Sequence, residues 1–131
     1  MTATVWVDSR TGSKELLPLL RKQGLTAELA TLDAGDFAFE GNGAGGAVQV
    51  GVERKTLGDL VSSLRSGRLQ GRRVDGVGSS QIHRLHDTYD VVFLLVEGRY
   101  YTDRRGRLVA EQGRRTLTGG FSEDSLNKTL L

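Results

Sequence analysis

Two carboxylates and one amine are the residues here whose types and spacing suit catalysis. Asp36 follows Gly35, and Glu53 and Lys55 flank Arg54 in the run Val50-Gly51-Val52-Glu53-Arg54-Lys55. Val48, Val50 and Val52 alternate with small or polar residues, which predicts a strand with one buried face. Side chains alternate along a strand, so Glu53 and Lys55 project to one side and Arg54 to the other. Asp36, at the start of the preceding strand, reaches that same side if the two strands pair. Carboxylate oxygens suit Mg²⁺, which keeps several waters and adds substrate phosphates. A lysine beside such an ion can orient a water and stabilise charge developing on a phosphate. The grouping fits metal-assisted phosphodiester hydrolysis.

The elements that must position these groups are legible in order. Thr2 to Asp8 predicts a first strand, possible as a central one, that delivers Asp8 at its C-terminal end, where ligands gather in open α/β sheets. Asp8 also has a lesser reading as a strand-ending residue turning into the Ser-Arg-Thr-Gly loop. Ser13 to Gln23 predicts a helix with Leu16, Leu17, Leu19 and Leu20 on its apolar face and Gly24 as its stop. Pro18 belongs only in a first turn, so this helix starts later than Ser13 if it is regular. Leu25 to Leu32 predicts a second strand, and Asp33 a turn. Gly41 to Gly46 spells G-x-G-x-x-G, but a strand rather than a helix follows. That excludes a nucleotide cofactor and leaves a hairpin turn. Thr56 to Ser66 is a strong helix pattern, with Leu57, Leu60, Val61 and Leu64 at helical spacing. Thr56 and Asp59 form a capping-box-like start, so Asp59 is either a cap or a support for the site. Arg54 either pairs with a carboxylate that locks the site or is solvated at an edge.

Further on, Gly67 to Ser79 predicts an arginine-rich loop and Ser80 to His86 a short helix. His83 and His86 have zinc-like spacing without a strong third ligand. Asp90 to Glu97 is an apolar run expected of a strand buried on both faces. Gly98 to Ala110 predicts a hairpin whose Tyr100 and Tyr101 either stack on a base or pack across strands. Ser122 is expected to cap a final helix.

As an ordered set, Gly35-Asp36, Glu53-Arg54-Lys55 and Asp59 resemble the GD…ERKxxxD signature of the XPF-type structure-specific nucleases. The likeness takes in Val5-Trp6-Val7-Asp8-Ser9-Arg10 upstream. Downstream it covers Asp59 to Arg68 and Val92 to Gly98, and it fades beyond Gly98. The resemblance implies an α/β restriction-endonuclease-like domain with a central mixed sheet flanked by helices. It implies a Mg²⁺-dependent DNA endonuclease, Mn²⁺ able to substitute, serving DNA repair or recombination on branched, flapped or junction DNA selected by shape. Asp36, Glu53 and Asp8 would be the metal residues, with Lys55 positioning the attacking water and Arg54 and Asp59 in support. Arg10, Arg65, Arg68, Arg72 and Arg73 would hold phosphates, and Gln81 matches a family glutamine. The family's x-Arg-Glu after the first aspartate becomes Ser9-Arg10-Thr11 here, and Gly71 to Ser80 reads as an insertion.

Bulk properties agree. A chain of 131 residues is expected to form one nuclease domain over 1–131, minimal or truncated at its C-terminus. Cysteine is absent, which excludes disulfides and thiolate metal sites. No signal peptide or spanning run is evident, so an intracellular protein without a membrane partner is expected, cytoplasmic in a prokaryote or virus and nuclear in a eukaryote. Net charge is +2, but arginine clusters with few acids from 65 to 73 and from 99 to 115. Such clusters suit phosphate, or are merely solvated loops. The alternatives to an active enzyme are a non-catalytic DNA-binding or docking module and a nuclease subunit that needs a partner chain, in a homodimer or heterodimer.

Overall fold

The computed structural model describes residues 3–66, 81–112 and 115–122. Five strands form a mixed sheet in the order β2-β1-β3-β4-β5. They are β1 (Val5–Asp8), β2 (Ala27–Ala30), β3 (Phe37–Gly43), β4 (Gly46–Thr56) and β5 (Val91–Glu97). β1 runs parallel to β2 and antiparallel to β3, β3 and β4 form a hairpin, and β4 is parallel to β5. The hairpin closes at Gly43 opposite Gly46, which has φ +123°, a conformation glycine adopts without strain. The glycine-rich run is therefore a strand connection.

The helices follow from sequence punctuation. After a 3₁₀ turn at Lys14–Leu16, α1 (Leu17–Lys22) starts with Pro18 in its first turn, where no amide hydrogen is needed. The helix is thus shorter than the 13–23 pattern, and its Leu19 stays exposed. β2 is likewise shorter than the predicted 25–32. α2 (Leu57–Ser66) buries Leu57, Leu60 and Val61, and the Asp59 amide donates to Thr56 Oγ1 at 3.2 Å to cap its start. α3 (Gln81–Thr88) buries Leu85 completely.

A second, three-stranded antiparallel sheet contains β6 (Arg99–Thr102), β7 (Arg107–Gln112) and β8 (Arg115–Ser122). α2 contacts the strands of both sheets, and Val109 of β7 is buried. The β6–β7 hairpin matches the expectation for Gly98 to Ala110. β8 was not anticipated, because its Gly119-Gly120 pair breaks the strand pattern.

One expectation is overturned. β5 is an edge strand of its sheet, and Phe93 is 56 % exposed and Leu95 48 %. A continuous apolar run signals apolar neighbours on both faces, but here one face remains open among the described residues. The 67–80 loop, with Arg68, Arg72 and Arg73, and the helix expected after Ser122 lie outside the described residues. Arg65 belongs to α2, and its side chain is outside them too.

Candidate active site

Strand pairing brings the acids together. The Asp36 amide donates to Val52 O at 2.8 Å, while Asp36 O accepts from the Asp8 amide at 2.9 Å. These bonds extend both neighbouring ladders by one residue and set Asp36 between the end of β1 and the Glu53 region of β4. Two glycines make the approach possible. Gly35 has φ +85°, and a Cβ there would lie 3.1 Å from Val52 O and 3.3 Å from Leu85 Cδ2. At Gly51 a Cβ would fall 2.0 Å from the Tyr89 ring. That ring crosses β4, and its hydroxyl donates to Ala34 O at 2.6 Å, fastening the segment that leads into Asp36.

The Asp36 carboxylate is held at both oxygens. Ser13, itself buried, donates from Oγ to Oδ1 at 2.5 Å, and the Arg54 amide donates to Oδ2 at 2.7 Å. Each oxygen keeps a further lone pair for a cation. Glu53 is half-buried nearby, and Lys55 is 9 % exposed. Burial of Glu53 first, and the charge of Asp36 second, push the Glu53 pKa up to about 7 against the opposing pull of Lys55, Arg84 and Arg10. Asp36 and Glu53 line two adjoining clefts of about 210 and 270 Å³. Lys55, Asp59 and Glu97 line one; Asp8, Arg10, Gln81 and Arg84 line the other.

Asp8 is placed differently. Its Oδ1 accepts from the Leu32 amide at 3.0 Å and its Oδ2 from Arg10 Nε at 2.6 Å. Burial opposes the charged form, but the bonds from Arg10 and Leu32 outweigh it and keep the Asp8 pKa below the usual value. Arg10 also donates to Leu32 O at 2.7 Å, so its guanidinium is fixed while remaining exposed at the cleft. Among the described residues no three His, Cys, Asp or Glu side chains converge as one ligand set. Asp36 and Glu53 form a pair, with Asp8 tied to the loops beside it.

Arg54 pairs with Glu97 of β5, and its Nη1 donates to Gly12 O at 3.4 Å. Arg54 is thus paired with a carboxylate rather than solvated at an edge. Asp59 serves as part of the α2 start and also lines a cleft, so its two readings are compatible. Gln81 stands at the first position of α3, and its buried Oε1 has no hydrogen-bond partner among the described residues.

Sequence reasoning missed Ser13, Arg84 and Glu97. Ser13 looked like a helix start, although it follows the Asp8-Ser9-Arg10 motif closely. Arg84 lies three residues from Gln81, on the same helix face. Glu97 ends an apolar run and drew attention only as a motif letter.

A mixed sheet that gathers Asp36, Glu53 and Lys55 where β3 begins and β4 ends, flanked by helices, is a restriction-endonuclease-like α/β fold. The ERCC4 domain family model matches residues 7–130, and the chain belongs to that family. The match continues well past Gly98, where the recognisable motifs end. The chain is 36 % identical over 67 residues to the DNA repair endonuclease XPF of Mus musculus, covering 51 % of this chain and 6 % of the relative. The Cricetulus griseus protein of the same name is 36 % identical over 66 residues, again 6 % of its length. Among solved structures, XPF from Aeropyrum pernix superposes with a TM-score of 0.60 at 28 % identity, covering 97 % of this chain and 46 % of that one. The same archaeal protein in complex with DNA gives 0.59, covering 48 % of its chain. The present chain thus spans less than half of the archaeal chains and a small part of the mammalian ones. Among the described residues no helix is long and apolar enough to cross a membrane.

Proposed function

We propose that this chain is a metal-dependent endodeoxyribonuclease domain that hydrolyses phosphodiester bonds in branched DNA. The observation carrying this is the Asp36 carboxylate, held by Ser13 and the Arg54 amide beside a half-buried Glu53 whose proton affinity is raised. Two carboxylates held close together at a cleft are a donor set that fits Mg²⁺ or Mn²⁺, with waters and substrate phosphate completing the coordination. When bound, the ion supplies Lewis-acid activation of the phosphate and of a water. Asp36 and Glu53 would hold it, with Asp8 acting through the loop and through Arg10. Lys55, screened from solvent, orients the attacking water and balances charge on the pentacovalent phosphate. Arg10 and Arg84 meet the substrate's phosphates at the other cleft.

The test combines cleavage with calorimetry. Labelled duplex, flap, fork and four-way junction DNA are incubated with the protein in Mg²⁺ and in EDTA. Mn²⁺ titrations then compare the wild type with Lys55→Ala and Glu53→Gln. Expected are Mg²⁺-dependent cutting of branched substrates, lost in both variants, with Mn²⁺ binding kept only by Lys55→Ala. Full activity in Glu53→Gln overturns the assignment. The exposed Phe93 and Leu95 on β5 favour a second reading, a nuclease subunit that works beside a partner chain. Inactive wild type that still binds junctions would select it.

A further inference from the structure

The β6–β7 hairpin carries aromatic rings and positive charge away from the cleft. Glu97 lines that cleft, Gly98 redirects the chain at φ +125°, and β6 begins at Arg99. Tyr100 is therefore three residues from the cleft wall, about 10 Å of extended chain. All four residues of β6 are exposed, Tyr100 at 50 % and Tyr101 at 49 %. Among the described residues β6 is an edge strand, paired with β7. Tyr101 stands opposite the buried Val109, whereas Tyr100 stands opposite Ala110 and so projects from the other face.

The turn neutralises its own acid. Asp103 Oδ1 accepts from the Arg105 and Arg107 amides, both at 2.9 Å, and Oδ2 accepts from Arg107 Nε at 3.0 Å. Between 99 and 107 there are four arginines and this single aspartate. With Asp103 and Arg107 engaged by each other, Arg104 and Arg105 are left exposed at the tip, and Arg99 is exposed on the strand opposite Glu111.

Aromatic faces interleaved with arginines on an exposed strand match single-stranded nucleic acid, where unpaired bases stack and phosphates follow the positive track. Duplex DNA buries its base faces in its own stack and leaves the tyrosines nothing to meet. We infer that this hairpin binds the single-stranded arm of a branched DNA, with Tyr100 stacking on an unpaired base and Arg99, Arg104 and Arg105 on its phosphates. The inference rests on the DNA-cleaving reading of the neighbouring cleft, but its test does not use cleavage.

Anisotropy in EDTA with labelled oligothymidylate and with blunt duplex supplies that test. Tyr100→Ala should bind oligothymidylate about tenfold more weakly, within the range for losing one stacked base, while duplex binding stays unchanged. Tyr100→Phe should keep the wild-type affinity. Arg104→Gln with Arg105→Gln should lower the salt slope for oligothymidylate by about one to two. Tyr100→Trp adds a second indole to a protein whose one tryptophan is Trp6, and its added emission should be quenched by oligothymidylate. Unquenched emission, or equal weakening on duplex and single strand, overturns the inference. An intact binding difference in a protein that never cuts DNA would instead sink only the cleft reading.

Discussion

Asp8 and Glu53 are neighbouring acids held in opposite ways. Asp8 is almost fully buried, yet both its oxygens are satisfied by a backbone amide and a guanidinium, so its proton affinity falls. Glu53 is half-buried, and that burial first and the Asp36 carboxylate second raise its pKa to about 7. A charge satisfied internally contributes to the fold. One held against a like charge is strained until a cation arrives, which is the arrangement expected of a working site.

The largest test of this contrast is Glu53→Gln, or Asp36→Asn. Cleavage should slow about a thousandfold or more, equivalent to roughly 4 kcal/mol of transition-state stabilisation. The thermal midpoint of Glu53→Gln without metal should hold or rise, because the repulsion between the two acids is gone. A fall of many degrees in Glu53→Gln would make this pair structural.

Asp8→Ala should act the other way round. It leaves the Leu32 amide unsatisfied and Arg10 without its anchor, a loss of about 2–4 kcal/mol in denaturant unfolding. Mn²⁺ affinity should change far less than in Glu53→Gln. An Asp8→Ala protein of normal stability that no longer takes up Mn²⁺ would place Asp8 among the ligands and erase the contrast.

The pH dependence sharpens it further. Glu53 has a folded pKa near 7 against an ordinary 4.5, so the folded state holds its proton more tightly than the unfolded state. Its stabilising contribution is complete below pH 4.5 and is lost as pH rises through 7. Metal uptake must expel that proton, so apparent Mn²⁺ affinity should fall by up to tenfold per unit below pH 7. Calorimetry across pH 5.5 to 8 reads the second effect and melting without metal the first. Glu53→Gln should flatten both.

Ser13→Ala is the smallest expected change. It removes one hydrogen bond to Asp36 and should cost about 1 kcal/mol of stability, with cleavage slowed several-fold. Mn²⁺ affinity should drop modestly, since the Arg54 amide still holds the other oxygen. An unchanged cleavage rate would show that Ser13 does not position Asp36.

Much of this was legible in residue order. Alternation of Val48, Val50 and Val52 predicts β4 and so puts Glu53 and Lys55 on one face, while the turn glycines predict the hairpin that returns the chain beside Asp36. Those are local signals, carried by side-chain period and backbone preference over a few residues. Pro18 and Thr56 marked helix starts for the same reason.

What lay beyond the letters depends on contacts between residues distant in sequence. Asp8 and Asp36 are both acids near strand ends, and their donors separate them: Asp8 accepts from Arg10 and from the Leu32 amide 24 residues away, Asp36 from Ser13 and the Arg54 amide. Ser13 reaches Asp36 across 23 residues, and Arg54 meets Glu97 through the β4–β5 register. β5 reads as a buried strand because its residues are apolar, whereas its Phe93 and Leu95 are exposed because nothing among the described residues covers that face. Composition records what a side chain prefers; which neighbours arrive to satisfy it is settled only when the whole sheet closes.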